Sequence, residues 1–328
     1  MERRPTSADV ARESGVSRAT VSFVINDSKP VSAQTRRRVL DAAERLGYAP
    51  HGAARSLRAG RSDLVLLYVP PLPVGAALAR LIDDIAVGLG EHGLSLTTYL
   101  VPERGRHDLA ALLRSVSLAA VIAIRPPDGP DGDALRHSRV PVVVVPKAGP
   151  GDEGSHDVLQ QRVGRRQVEH LADRGHRRLG YAVPTHADVL SAFAVPRLEG
   201  VRSACRALGL PAPLVREVPL DVEGARLAVE EWTHEACTAV CAYNDDVAFA
   251  VLAGVHSLGV RVPEELAVVG VDDIPLAPLA MPPLTTVVVD GEGVARQIVH
   301  DVRQAIGDEP AVSDVEGEIV HLVVRAST

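Results

Sequence analysis

The sequence predicts a small all-α head joined to a larger α/β body built on doubly wound parallel sheets. Three observations predict it. The first 48 residues hold three short amphipathic stretches separated by glycines and polar turns. Beyond residue 62, apolar runs of strand length (Asp63 to Val69, Ala119 to Ile124, Val140 to Val145, Leu266 to Val271) alternate with longer amphipathic stretches, as buried parallel strands alternate with crossover helices. The 328 residues also suffice for two or three folding units with real cores.

In the head, Thr6 followed by Asp9 is an N-cap with an acid in the first turn. Val10, Ala11 and Ser14 then form a compact face before Gly15 ends the helix. Ser17 caps a second helix, whose Val21, Val24 and Ile25 turn inward while Arg18, Ala19, Ser22 and Phe23 look out. Asn26 to Pro30 reads as a loop. Ser32 opens a third helix, Ala33 to Leu46, with Val39, Leu40, Ala43 and Leu46 as its inner face, and Gly47 stops it. Two short helices joined by a tight turn and braced by a third make the helix-turn-helix unit, which sets its second helix into a DNA major groove.

Charge supports a polyanionic partner. Residues 1 to 61 carry 12 Lys and Arg against 6 Asp and Glu, a balance of +6, which leaves −13 for the rest of a chain whose net charge is −7. A basic head on an acidic body brings the head to phosphates and keeps the body off them. No apolar run approaches the roughly 20 residues of a membrane span, and Met1 to Pro5 leads into polar sequence with no apolar signal core. The chain therefore reads as soluble and cytoplasmic, with no membrane partner. Cys205, Cys237 and Cys241 lack zinc-type spacing and read as small buried hydrophobes; neither a metal nor a cofactor is expected.

The strings Asp9 to Asn26 (DVARESGVSRATVSFVIN), Thr35 to Val39 (TRRRV), Glu44 to Pro50 (ERLGYAP) and Ala54 to Arg58 (ARSLR) resemble the DNA-binding head and hinge of the lactose-repressor/galactose-repressor (LacI/GalR) family. That resemblance implies a homodimer on palindromic double-stranded operator DNA, with Arg18, Ala19 and Phe23 reading bases and Thr6, Ser17, Thr20, Ser22 and Asn26 gripping phosphates. Phe23 stands where many relatives hold arginine; an aromatic there reads a thymine methyl or lies against the backbone. Arg36 to Arg38 form a solvated face or touch phosphate at one or two positions. His51 to Arg58 correspond to a hinge that becomes helical only when two copies pair over DNA, and eight residues are too few for a stable isolated helix. Leu57 takes the place of the minor-groove wedge, Ala54 leaves room for close pairing and Arg58 sits beside phosphate. A flexible linker whose leucine packs on the body is the alternative.

The resemblance continues through Gly164 to Tyr181, Arg197 to Gly200, Tyr243 to Phe249, Leu258 to Leu266, Val269 to Pro275 and Pro282 to Thr286. It implies a periplasmic-binding-protein-like body of two doubly wound lobes joined by three crossovers, with an effector cleft at the carboxyl ends of the strands. The expected boundaries are a head over 1–49, a hinge over 50–61 and a body over 62–328. The body divides into a first lobe of about 62–161 and 291–313 and a second of about 162–290 and 314–328. Asn244 and Asp272, each following an apolar strand, stand where relatives hydrogen-bond the effector; capping of strand ends is the alternative role. Three customary groups read as lost: Val195 in place of a clamping arginine, Pro146 in place of an aspartate and Pro219 in place of a stacking aromatic. Gln160 and Gln161 replace an Asp-containing segment. These losses point to an effector other than a typical sugar.

Two other classes compete. An enzyme is disfavoured because no nucleophile elbow, P-loop, dinucleotide fingerprint or metal-type histidine spacing occurs. A transport binding protein shares the expected body, but the head and the want of an apolar leader argue against it.

Overall fold

In the computed structural model of the chain, which describes residues 5–25, 29–48, 62–70, 75–101, 108–124, 127, 129–144, 156–185, 191–309 and 319–328, short-range capping chemistry accounts for the first three helices. Helix α1 is Ser7–Ser14, α2 is Arg18–Ile25 and α3 is Ala33–Leu46. The Asp9 carboxylate accepts from the Thr6 backbone N–H at 2.9 Å and from the Thr6 hydroxyl at 2.6 Å, closing the first turn of α1. Ser17 Oγ accepts from the Thr20 N–H and Ser32 Oγ from the Thr35 N–H, so α2 and α3 are capped the same way. Gly15 and Gly47 end α1 and α3 at φ of 63° and 61°, a left-handed turn that a side chain would strain.

The head core gathers Val10, Ala11, Val21, Val24, Val39, Ala42 and Ala43. One inner-face expectation fails: Leu40 is 47% exposed, and Ala42 is buried in its stead. Residue 40 lies about 100° round the helix from Val39, whereas 42, 43 and 46 return to its side. Arg38 donates to the Ser14 carbonyl at the end of α1, so this arginine braces the head instead of lying free on a basic face.

The chain divides into two compact units, Met1–Asp63 with Ser115–Ala119, and Leu64–Arg114 with Ala120–Thr328. The second unit holds two sheets. The first, in the order β2-β1-β3-β4, is made of β1 (Leu64–Val69), β2 (Ser95–Leu100), β3 (Ala120–Ala123) and β4 (Val142–Val144), all parallel. Helices α4 (Ala76–Glu91), α5 (Leu109–Ser115) and α6 (Gly129–Ser138) connect them.

The second sheet runs β10-β9-β8-β7-β5-β6. Its strands are β5 (Leu179–Pro184), β6 (Leu214–Val218), β7 (Ala239–Ala242), β8 (Ala267–Val271), β9 (Thr285–Val289) and β10 (Val320–Val323). The helices of this half are α7 (His156–Asp173), α8 (Ser191–Ala207), α9 (Val222–His234) and α10 (Asp245–Leu258). Only β10 is antiparallel, pairing with β9 at one edge. Helix α11 (Gly291–Ala305) leaves β9 and packs on α4, β3 and β4, so the chain visits the first sheet's layer before returning as β10. Helix α7 starts at His156, earlier than the break in pattern near Gly164 suggests.

Strand order fixes where a ligand can sit. Connections leave β1 and β3 on opposite sides of the first sheet and β5 and β7 on opposite sides of the second, which opens a crevice at the carboxyl end of each sheet. Among the described residues no helix is long and apolar enough to cross a membrane.

Close backbone contact sets α8 on α7. A Cβ added at Gly200 would stand 2.1 Å from the Gln161 carbonyl oxygen, and one at Gly164 would stand 2.1 Å from that of Arg197. Gly200→Ala is therefore expected to lower stability by about 1–3 kcal/mol. Gly90→Ala, which meets no atom within 4 Å, should be neutral or slightly stabilising. Urea unfolding of the two variants checks the contrast.

Candidate functional site

The head presents one surface built for a polyanion. Capping and the buried Val21 and Val24 fix α2, leaving Arg18 and Ala19 exposed and Ser22 and Phe23 half-exposed on the opposite side. The Ser17 and Thr20 hydroxyls pair at 2.9 Å over the first turn of α2, where backbone N–H groups and the helix dipole favour a phosphate. Thr6 is less available than its expected phosphate role requires, since both of its donors already bind Asp9. Lys29, in the loop that follows α2, stands with its Nζ 5.0 Å from the centre of the Phe23 ring. Asn26, Ala54, Leu57 and Arg58 lie outside the described residues.

The second unit holds a cleft of about 560 Å³ between its sheets. Its apolar wall comes from Leu67 and Ile122 of the first sheet and from Leu78, Leu81 and Ile85 of α4, which turns this side toward the cleft. The polar side comes from the strand ends of the second sheet. Strand β7 runs out into Tyr243 and Asn244, and Asn244 Oδ1 accepts the Val247 N–H at 3.0 Å as the N-cap of α10. Asn244 lines the cleft as well, so capping and facing a ligand are not exclusive.

Strand β8 runs out into Asp272 and Asp273, at φ of 104° and 45°. Two consecutive side-chain-bearing residues in the left-handed region are costly and persist only where surrounding structure holds them. Here the Asp272 N–H donates to the Val287 carbonyl at 2.8 Å, and Arg325 sits 2.7 Å from the Asp273 carboxylate. From the first lobe's α4, Arg80 donates across the cleft to the Asp272 and Asp273 carbonyls at 3.0 and 3.2 Å.

Arg197 is the buried cation of the site. Its Nε donates to Gln160 Oε1 at 2.6 Å, one Nη donates to the Tyr243 carbonyl at 2.6 Å, and the other stands 3.8 Å from Asp272 Oδ1. The guanidinium also covers the Tyr243 ring at 4.8 Å. Burial raises the Asp272 carboxyl above its ordinary range, with Arg197 opposing. Beneath this layer Asp245, fully buried, accepts from the Ile274 N–H at 2.9 Å and the Thr286 hydroxyl at 2.7 Å, tying α10 to the Asp272 loop and to β9. Gly270 leaves room for it, since a Cβ there would stand 2.1 Å from Asp245 Oδ1.

Three sequence expectations change. An arginine does reach the cleft: Val195 is 63% exposed, and Arg197, about 200° further round α8, turns into the cleft instead. Gln160 is no irregularity, because it holds the Arg197 guanidinium. Pro219 does not line the cleft; it packs under the first turn of α9 against Gly224. Pro146 lies outside the described residues. Arg80, and the partnership of Gln160 with Arg197, are not legible in the sequence because only the folded chain brings α4, α7, α8 and the end of β8 together. Among the described residues no group of three His, Cys, Asp or Glu side chains could hold a metal ion.

Comparison with known proteins accords with both surfaces. Residues 6–51 match the family model "Bacterial regulatory proteins, lacI family", and residues 168–328 match "Periplasmic binding protein-like domain". The transcriptional regulator GalR of Escherichia coli is 31% identical over 86% of this chain and 83% of its own. The regulator CelR of Thermobifida fusca is 32% identical over 99% of this chain and 98% of its own. Among solved structures, the lac repressor dimer bound to operator and the anti-inducer ONPF superposes with a TM-score of 0.79, at 25% identity and covering 99% of each chain. A helix-turn-helix head on a two-lobed, ligand-binding type of body is the architecture of a regulator that couples DNA to a small molecule. This chain belongs to the LacI family of bacterial transcriptional regulators.

The buried Asp245 makes stability depend on pH. Its pKa is pushed up to about 7, chiefly by burial, with the Thr286 and Ile274 hydrogen bonds opposing and Asp272 and Asp273 adding to the rise. The folded state thus keeps this proton to higher pH than the unfolded chain, and stability falls as pH rises between about 4 and about 7. Asp245→Asn should flatten that part of the curve. Melting temperatures of the two proteins measured from pH 4.5 to 7.5, on the order of this window, check the difference.

Proposed function

We propose that the protein is a cytoplasmic repressor that binds a palindromic operator as a homodimer and answers to a small molecule held in the interlobe cleft. The outward face of α2 carries the reading, with Arg18 and Ala19 exposed on a helix whose opposite side is locked into the head core. Arg18 pairs with a guanine edge, Ala19 gives methyl contact, and Ser17, Thr20 and Ser22 meet phosphates. Asn26 adds a phosphate contact, while Ala54, Leu57 and Arg58 form the paired hinge, with Leu57 wedged into the minor groove.

The working division is a head over 1–49, a hinge over 50–61 and a body over 62–328; the packing of α11 on the first sheet's layer and the return of β10 to the second support two lobes with three crossovers. The homodimer needs an apolar face on the body. Leu276, Leu279 and Met281 are exposed within six residues, the last at 92%, and are candidates for it. The relatives are regulators rather than enzymes, and no catalytic role enters the proposal.

For the effector, Arg197, Asn244 and Asp272 are the polar anchors. Of the three lost groups that point away from a typical sugar, Val195 and Pro219 do not line the cleft while Arg197 does, and Pro146 lies outside the described residues, so the lining itself is the better guide to the effector. Arg197 already faces Asp272, and Asp246, Asp272 and Asp273 line the same side. Such a lining suits a neutral, hydroxyl-bearing ligand with one apolar face and disfavours an anion.

Two experiments test the proposal. Selection of bound duplexes from a random pool should return a two-fold symmetric site, and Arg18→Ala should cost about 1–3 kcal/mol and relax one base pair in each half-site. An asymmetric or absent consensus would overturn it. For the cleft, thermal-shift titration of neutral saccharides, nucleosides and sugar phosphates should find stabilisation in a neutral class that Asp272→Ala removes. Stabilisation by the phosphates alone would contradict the assignment.

A further inference from the structure

Base reading by α2 is thin at its far end. Ala19 and Phe23 lie on one stripe, a turn apart, and neither side chain can donate or accept a hydrogen bond. Yet a cation stands over this stripe, for the Lys29 ammonium is 5.0 Å from the centre of the Phe23 ring. Among the described residues Lys29 has no ion pair, and the Phe23 ring is the one group its ammonium meets. Its backbone is also held. Pro30 restricts the residue before it to extended conformations, Val31 packs against the head core and Ser32 caps α3 through the Thr35 N–H at 3.2 Å. A four-carbon stem rooted this close to an anchored segment, with its head drawn to an aromatic face, has lost much of the freedom of an ordinary surface lysine.

We propose that Lys29, seated on Phe23, is a specificity-determining residue that donates to a guanine O6 and N7 in each half-site. An ammonium has three protons, and the ring face takes up one direction, leaving the others for acceptors in the groove. Phe23 is then a platform as well as an apolar contact: it holds the cation level with the base-reading face instead of out beside the phosphates. The inference rests on the reading that α2 enters the major groove.

The test uses the full-length chain and the duplex it selects from a random DNA pool. Lys29→Met keeps the stem and removes the charge. It should make one guanine per half-site degenerate and weaken binding to the selected duplex by roughly 5- to 10-fold, the low end of a base contact, with the salt dependence of affinity little changed. Phe23→Leu should blur the same position, and adding it to Lys29→Met should cost little more, because the two act as a unit. Uniform weakening on all sequences, with the slope of log affinity against log salt reduced by about one, would make Lys29 a phosphate contact and overturn the proposal. An unchanged selected sequence would overturn it too. Arg18→Ala separates the two levels: if that variant also leaves the consensus unchanged, the groove reading of α2 has failed, and not merely the assignment of Lys29.

Discussion

A buried guanidinium organises the ligand-facing half of the body. Taking Arg197 out of water costs several kcal/mol unless its donors are met, and the chain meets them from three directions. Gln160 comes from α7, the Tyr243 carbonyl from the end of β7, and Asp272 from the end of β8. The same contacts fix where α7, α8 and two strand ends lie, so the cleft is positioned by the group that lines it. The longer 3.8 Å approach to Asp272 leaves that carboxylate with acceptor capacity for something in the cleft.

A second tier keeps this arrangement in place. Asp245 ties the Asp272 loop to α10 and β9, and Gly270 is small enough to let it in. The left-handed Asp272 and Asp273 are held by hydrogen bonds to β9 and by Arg325 and Arg80, which outweigh the cost of the conformation. Since Arg80 comes from α4 and grips carbonyls of the opposite lobe, the width of the cleft and the shape of the anchoring loop are not independent.

The head follows a different logic. Its core is small, and three side-chain caps with two left-handed glycines carry much of the specification. Such local chemistry fixes α2 through its inward side alone and leaves the outward residues free to be chosen for recognition. Arg38 shows the limit of reading charge as function, because one member of a run of three arginines is spent on the Ser14 carbonyl.

What the sequence by itself determined follows from interactions between near neighbours. Caps at Thr6, Ser17 and Ser32, stops at Gly15 and Gly47, the apolar stripe of α2 and the strand-length runs at β1, β3, β4 and β8 are all legible within a few residues, and so are the family and the positions of Asn244 and Asp272 at strand ends that face the cleft. The inner face of α3 was misjudged by one position at Leu40 because phase over a short helix is settled by what packs against it. The cleft was misjudged at Val195, since which of two residues about 200° apart on α8 faces inward depends on how Gly200 seats that helix on α7. The partners of Arg197, the reach of Arg80, the burial of Asp245 and the seat of Lys29 on Phe23 were decided by tertiary structure alone. Each joins elements that spacing along the chain does not relate, and a side chain's charge or exposure becomes meaningful only once its neighbours are in place.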